Sequence, residues 1–240
     1  MPKAIKTEAP YTKQFKDEFN KLCWSRNRGV AWSDFVAISA CSISNAVDSA
    51  MFEQREQMYL RIIQGYTKEE QDIFAQLFEI TMLALEGNPE QDFLGDIYST
   101  LELLNKNIGQ VFTPYPVATM MAMSTCGNWA EHINEKGFIS INDPCCGAGV
   151  MLVAVANVAR KQGINYQKSM VFVGQDIDFT VAMMCYIQLS LLGCVGYVIV
   201  GNSLLLDPPS RENIWHLPMS FLRRNLMEKF LHQACDGGEG

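Results

Sequence analysis

Two closely spaced glycines and a small set of carboxylates are the residues in this chain best placed to do chemistry. Gly147 and Gly149 sit in FISINDPCCGAGVMLV, residues 138–153, just after Asp143 and Pro144. Glycine permits positive φ and lets a ligand approach the backbone closely. If a helix follows, its free N–H groups face the same space. A second acidic position is Asp176, in Gln175-Asp176-Ile177-Asp178. A carboxylate at a strand end can accept from both hydroxyls of a ribose. Asn202, in Gly201-Asn202-Ser203-Leu204, offers an amide that both donates and accepts. Each pattern also has a plain structural explanation: a tight turn for G-x-G, an Asx turn for Asp143, and a loop after a strand for residues 201–204.

These residues need a scaffold that brings strand ends together. Phe138 to Ile141 alternates in β-prone fashion, and Pro144 ends the strand because it lacks an N–H. The apolar run Val150 to Val158 then reads as a helix. Strand, glycine turn and helix open a doubly wound α/β fold. Met170 to Asp176 reads as a second buried strand, Phe179 to Leu192 as a helix with Asp178 as its cap, and Gly196 to Val200 as a third strand.

Upstream, residues 11–105 read as five helices without a strand. Tyr11 to Arg26 comes first, then Ala31 to Ala50 with Ser33 as a cap, and then Phe52 to Gly65. Thr67 and Glu70 make a capping box for a helix stopped by Gly87. Asn88 and Pro89 read as cap and first position of the next helix, running to about Asn105. A further helix is expected from Pro114, capped by Thr113, to Cys126. Residues 127–137 read as a loop, and Phe221 to Ala234 as a last helix. The resulting division is a helical domain over 1–106 and an α/β domain over 107–240.

Composition narrows the possibilities. Apolar residues make up 48% of the 240, enough for a sizeable core. No apolar run reaches the roughly 18 residues that span a bilayer, and MPKAIKTEAP lacks the apolar centre of a signal peptide. A cytoplasmic protein is expected. The eight cysteines form no C-x-x-C pair and only three histidines are present, so no metal site is expected. Cys145 and Cys146 read as small residues in a reducing compartment. Lys13, Lys16, Lys21, Arg26 and Arg28 read as a solvated helix face. The net charge of −7 weighs against unaided binding of a polyanion.

The D-P-x-x-G-x-G pattern at 143–149 resembles motif I of S-adenosylmethionine-dependent DNA methyltransferases of the N6-adenine class. Gly109-Gln110-Val111-Phe112-Thr113-Pro114 resembles the G-Q-F-F/Y-T-P motif that precedes motif I in the modification subunit of type I restriction systems. Asp92-Phe93-Leu94-Gly95-Asp96-Ile97-Tyr98 resembles the D-x-L-G-x-x-Y helix of the same subunits. Together these cover roughly residues 92–206. The resemblance implies a Rossmann-like methyltransferase core, with S-adenosylmethionine as cofactor. It places Gln110, Phe112, Thr113 and Pro114 against the methionine end of that cofactor. Asp143 and Pro144 lie at its ammonium, Gly147 and Gly149 at the backbone approach, Asp176 and Ile177 at the ribose, and Asn202 at the adenine. It implies DNA as substrate, with a partner subunit supplying target recognition and a homo- or hetero-oligomer as the working form.

The family's catalytic segment, [N/D/S]-P-P-[Y/F/W], follows a fourth strand. Here Asp207-Pro208-Pro209-Ser210 is the candidate. It lacks the aromatic residue and follows the third strand closely, so Trp215 or Phe221 would have to provide stacking. Two functions are therefore carried forward: an adenine-N6 DNA methyltransferase with an unusual catalytic loop, and a non-catalytic S-adenosylmethionine-binding subunit.

Overall fold

The computed structural model describes residues 10–24, 26–103, 111–205 and 208–236. Gln110 and Asp207 lie outside them. The helical part comprises α1 (Pro10–Leu22), α2 (Arg28–Asn45), α3 (Phe52–Ile63), α4 (Lys68–Gly87) and α5 (Phe93–Thr100), with no strand among the described residues. Then come α6 (Tyr115–Thr125), α7 (Trp129–Lys136), β1 (Ile139–Asp143), α8 (Val150–Lys161), α9 (Tyr166–Ser169), β2 (Met170–Asp176), α10 (Phe179–Leu191) and β3 (Val195–Val200). The described chain ends with β4 (Ile214–His216), α11 (Pro218–Leu222) and α12 (Arg224–Asp236).

The four strands form one sheet in the order β1-β2-β3-β4. The first three are parallel, with Asp143 beside Gly174 and Asp176 beside Val200. This register brings the two carboxylate-bearing strand ends to the same end of the sheet. β4 runs antiparallel to β3.

Alternation of side chains across the pleat assigns the two faces. Met170 and Phe172 enter the main core with α8 and α10, whereas Val171 and Val195 meet Leu226 and Met227 of α12 on the other face. The main core is continuous from Phe15 in α1 to Leu217 beyond β4. Its aromatic centre is Phe15, Phe19, Trp32, Phe35 and Phe93, with ring centroids 5.3–6.2 Å apart in the pairs that Phe15 makes.

Arg55 ties α3 to the sheet. It is 2% exposed and pairs with buried Asp48 at 2.9 Å. Its guanidinium also donates to the Ser44 hydroxyl and, at 2.8 Å, to the Ile214 carbonyl of β4. The same group lies 4.1 Å from the centre of the Trp215 ring. Burial of a guanidinium is tolerated because these partners replace much of its hydration.

Several expectations need correction. A doubly wound fold would place the strand that opens it inside the sheet, yet β1 is an edge strand among the described residues. The cap of α2 is Asn27, whose side chain accepts from Gly29 and Val30, and not Ser33, which lies within the helix. α5 begins at Phe93 behind Asp92. Asn88 is extended, and its side chain accepts from Glu90, forming a turn in place of a helix start. Thr113 does not cap α6, which starts after Pro114 without a side-chain cap. Residues 129–136, expected as loop, form α7, closed by Gly137 in the left-handed conformation at φ 83°. β4 was not anticipated, and the last expected helix is two, α11 and α12.

Candidate functional site

The crevice opens where β1, β2 and β3 end. Residues 144–149 turn sharply from β1 into α8, with Gly147 at φ 52° and Gly149 at φ 94°. A side chain at Gly149 would fail twice: the φ is left-handed, and its Cβ would stand 2.7 Å from the Cys185 Sγ of α10. The loop is fastened to the neighbouring strand end. The Cys146 amide donates to the Gln175 carbonyl at 2.9 Å, and the Gly147 amide donates to Asp176 Oδ2 at 2.9 Å. Asp176 Oδ1 accepts from the Asp178 amide at 3.0 Å. Asp176 thus shapes the glycine turn while lying half-buried at its mouth.

Asp143 accepts from the Cys145 amide at 3.2 Å. Burial pushes its carboxyl above the usual range, and the nearby charge of Asp176 adds to the rise, while the Cys145 amide opposes it. No described cation pairs with either carboxylate. A ligand ammonium at Asp143 would supply the missing positive charge. The amino end of α8 has no side-chain cap, so its first amides are also open to a polar ligand.

β3 completes the crevice. The Gly201 amide donates to the Asp176 carbonyl at 2.8 Å. Asn202 bends the following turn, its Oδ1 accepting from Leu204 at 3.0 Å. Ser203 Oγ stands 3.9 Å from the Cys145 sulfur, so the loops after β1 and β3 approach each other. Asp178 caps α10 through Thr180 and Val181, and Ile177, 70% exposed, projects beside it.

The segment before α6 reaches the same place. The Phe112 ring would lie 3.5 Å from a Cβ on Gly147 and stacks on Tyr98 of α5 at 5.7 Å between centroids. Phe112 and Thr113 are half-buried and Pro114 is exposed. Asp143, Pro144, Gly147, Gly149, Asp176 and Asn202 therefore gather around one crevice, with Phe112 against its glycine turn.

Two further residues support this arrangement: Tyr98, read from the sequence only as the end of a helix motif, carries Phe112, and Gln188 was not read at all. Gln188, fully buried on α10, donates at 2.8 Å to both Asp92 Oδ1 and the Ala148 carbonyl, and accepts from the Leu94 amide at 3.2 Å. The signal was present: Gln188 is a long polar side chain within the largely apolar helix 179–191.

β4 begins beside the carboxyl end of β3, where Ile214 pairs with Ile199. Pro208 and Pro209 are exposed, and the chain continues to β4 on the outer side of β3. Trp215 is 2% exposed, packed against Phe179, Tyr186 and Arg55. Phe221 contacts His216 and lines a pocket near Gly137 and Lys168, which precede β1 and β2. The structure therefore brings neither aromatic ring into the crevice. Among the described residues no cluster of three His, Cys, Asp or Glu could hold a metal, and no helix is long and apolar enough to cross a membrane.

No curated protein matches the sequence. Among solved structures, a Listeria monocytogenes protein described as a class I S-adenosylmethionine-dependent methyltransferase is similar, at 17% identity and a TM-score of 0.38. The similarity covers 77% of this chain and 57% of that one, so the chain spans little more than half of that protein's length. The family model for N-6 DNA Methylase matches residues 89–219. That match takes in more than half of the chain, including the glycine turn, Asp143, Asp176 and Asn202, and the chain belongs to the N-6 DNA methylase family.

Proposed function

We propose that this chain binds S-adenosylmethionine in the crevice and acts as a DNA methyltransferase of the N6-adenine type, transferring a methyl group to the exocyclic amine of adenine. The observation that carries this is the convergence of Asp143, the Gly147–Gly149 turn and Asp176 at the ends of two adjacent parallel strands. The donor set suits such a ligand: an unpaired carboxylate for an ammonium, uncapped amides for polar groups, and a second carboxylate for a ribose. When bound, S-adenosylmethionine supplies an electrophilic methyl group on its sulfonium sulfur.

The chain's own contribution is orientation. Asp176 holds the turn through the Gly147 amide. Phe112, backed by Tyr98, shields one side of that turn, with Thr113 beside it in the chain; Gln110, outside the described residues, is the further candidate contact to the methionine end of the cofactor. Asn202 is the candidate contact to the adenine of the cofactor, and Ile177 an apolar contact beside its ribose. Asp207, Pro208 and Pro209 form the candidate catalytic segment, with Asp207 accepting from the target amine. DNA is the proposed substrate, a partner subunit the source of target recognition, and a restriction-modification system in the cytoplasm the setting.

One observation favours the alternative of a cofactor-binding subunit without activity of its own. Trp215 is buried in the core and Phe221 sits by the pocket near Gly137 and Lys168, so neither provides a stacking platform in the crevice. Stacking contributes about 1–3 kcal/mol per base, and a delocalised adenine amine depends on being held in position. Weak or no methylation by the isolated chain is therefore expected.

The test combines calorimetry with methyl transfer from labelled S-adenosylmethionine to adenine-containing DNA, with and without candidate partner subunits. Asp176→Ala should weaken cofactor binding by roughly 1.5–3 kcal/mol. Asp207→Ala should abolish any transfer while leaving cofactor affinity intact. Absence of cofactor binding by the wild type would overturn the proposal. Robust transfer that survives Asp207→Ala would show that the candidate catalytic segment is wrong.

A further inference from the structure

A second polar concavity lies at the other end of the sheet. Its volume is about 360 Å³, and its walls carry Lys168, Arg223, Arg224 and Lys229, with Gly137 and Asn225 between them. No acidic side chain lines it. None of the four cations makes an ion pair among the described residues, although the chain as a whole carries a net charge of −7. The buried Nε of Arg223 has no hydrogen-bond acceptor among the described residues.

Its position separates it from the crevice. Gly137 lies two residues before β1 and Lys168 two residues before β2, whereas the glycine turn follows β1. Strands of 5–7 residues at about 3.3 Å per residue put the two sites on the order of 20 Å apart. The pocket is thus no part of the cofactor site.

Four like charges brought together cost free energy unless an anion is there to neutralise them. Two of the four are arginines, whose planar guanidinium suits the paired oxygens of a phosphate. The remaining wall includes Phe221 and Leu222, the latter 78% exposed. An apolar lip beside a cationic floor suits a phosphate that carries an organic group, such as a nucleoside. We infer that this pocket binds the phosphate of a nucleotide or of a nucleic-acid backbone. The inference holds whether or not the crevice binds S-adenosylmethionine.

The test uses the exposed pair Arg224 and Lys229 and spares Arg223, whose Nε is buried. The wild type and R224E/K229E are compared by calorimetry with pyrophosphate and with AMP, and by anisotropy with a short labelled DNA duplex at low salt. Circular dichroism and thermal melting establish that both proteins are folded, and the single variant K229E replaces the double one if that melts early. The wild type should bind at least one of these probes, and the variant should bind it at least about tenfold more weakly, the cost of about one charge-assisted hydrogen bond. A loss confined to pyrophosphate or AMP identifies a free nucleotide or phosphate as the ligand. A loss that includes the duplex, with a shallower salt dependence, identifies the nucleic-acid backbone. No binding of any probe, or equal affinities in wild type and variant, overturns the inference.

Discussion

Gln188 Nε2 stands 2.8 Å from Asp92 Oδ1, joining α10 to the cap of α5 across 96 residues of sequence. The same nitrogen reaches the Ala148 carbonyl between the two glycines of the turn. One amide thus holds together the helix that carries Tyr98 and the loop that opens the crevice. There is no room for a substitute at Gly95 either, since a Cβ there would fall 2.1 Å from Asp92 Oδ2.

Gln188→Leu keeps the volume of the side chain and removes its bonds to Asp92, Ala148 and Leu94. It leaves a carboxylate, a carbonyl and an amide buried without that partner. The expected loss is about 2–4 kcal/mol in urea unfolding, since orphaned buried polar groups cost more than the bonds contributed. A midpoint within error of the wild type would show that the three-way contact has no energetic role.

Asp92 gives a pH dependence whose sign can be worked out. Burial raises its carboxyl from 3.8 to about 6, against the lowering effect of Gln188 and the Gly95 amide. The folded state therefore holds this proton more tightly than the unfolded chain does. The stabilisation is fully present below pH 3.8 and is lost as pH rises through 6. The loss on this group's account is about 3 kcal/mol by pH 7. Asp92→Asn keeps an acceptor for Gln188 and cannot ionise. Subtracting the variant's stability from the wild type's, measured at pH 4.5 and at pH 7, should give a difference that falls with pH. A flat difference would show that Asp92 titrates as an ordinary carboxylate.

Arg55→Ala leaves Asp48 buried without its counter-charge and frees the Ile214 carbonyl. A destabilisation of about 3–5 kcal/mol is expected in denaturant unfolding. Arg55→Met with Asp48→Leu should recover part of that loss by removing both charges and refilling the volume. If the double variant is no better than Arg55→Ala, the cost lies in the lost stacking on Trp215 and not in the stranded carboxylate.

The sequence made local elements more legible than the way they are arranged. Met170–Asp176 was readable as a strand to the residue, because a buried parallel strand is a continuous apolar run ended by polar residues. The capping box at Thr67 was equally plain, since both of its bonds lie within four residues. The start of α5 was not. Asn88-Pro89 carries a strong local start signal, yet Gln91 donates to the Ala84 and Asn88 carbonyls and closes α4 there. Asp92 becomes the cap where it also meets Gln188, a partner absent from the local sequence. The edge position of β1 and the pairing of β4 with β3 were hidden for the same reason. Strand order depends on contacts between distant segments, which no window of periodicity contains.

The packing of α2 against α10 has a consequence for how the chain is made. Ser33 meets Thr180 at 3.2 Å, and Trp32, Phe35 and Val36 share one core with Val181, Met184 and Tyr186. More than a hundred residues separate the two helices in sequence. At about 5–20 residues per second, α10 leaves the ribosome on the order of ten seconds after α2. During that interval the aromatic face of α2 has only α1, α3, α4 and α5 to cover it. Whatever those helices leave bare is open to chaperones, and to neighbouring nascent chains, until the strands and α10 arrive.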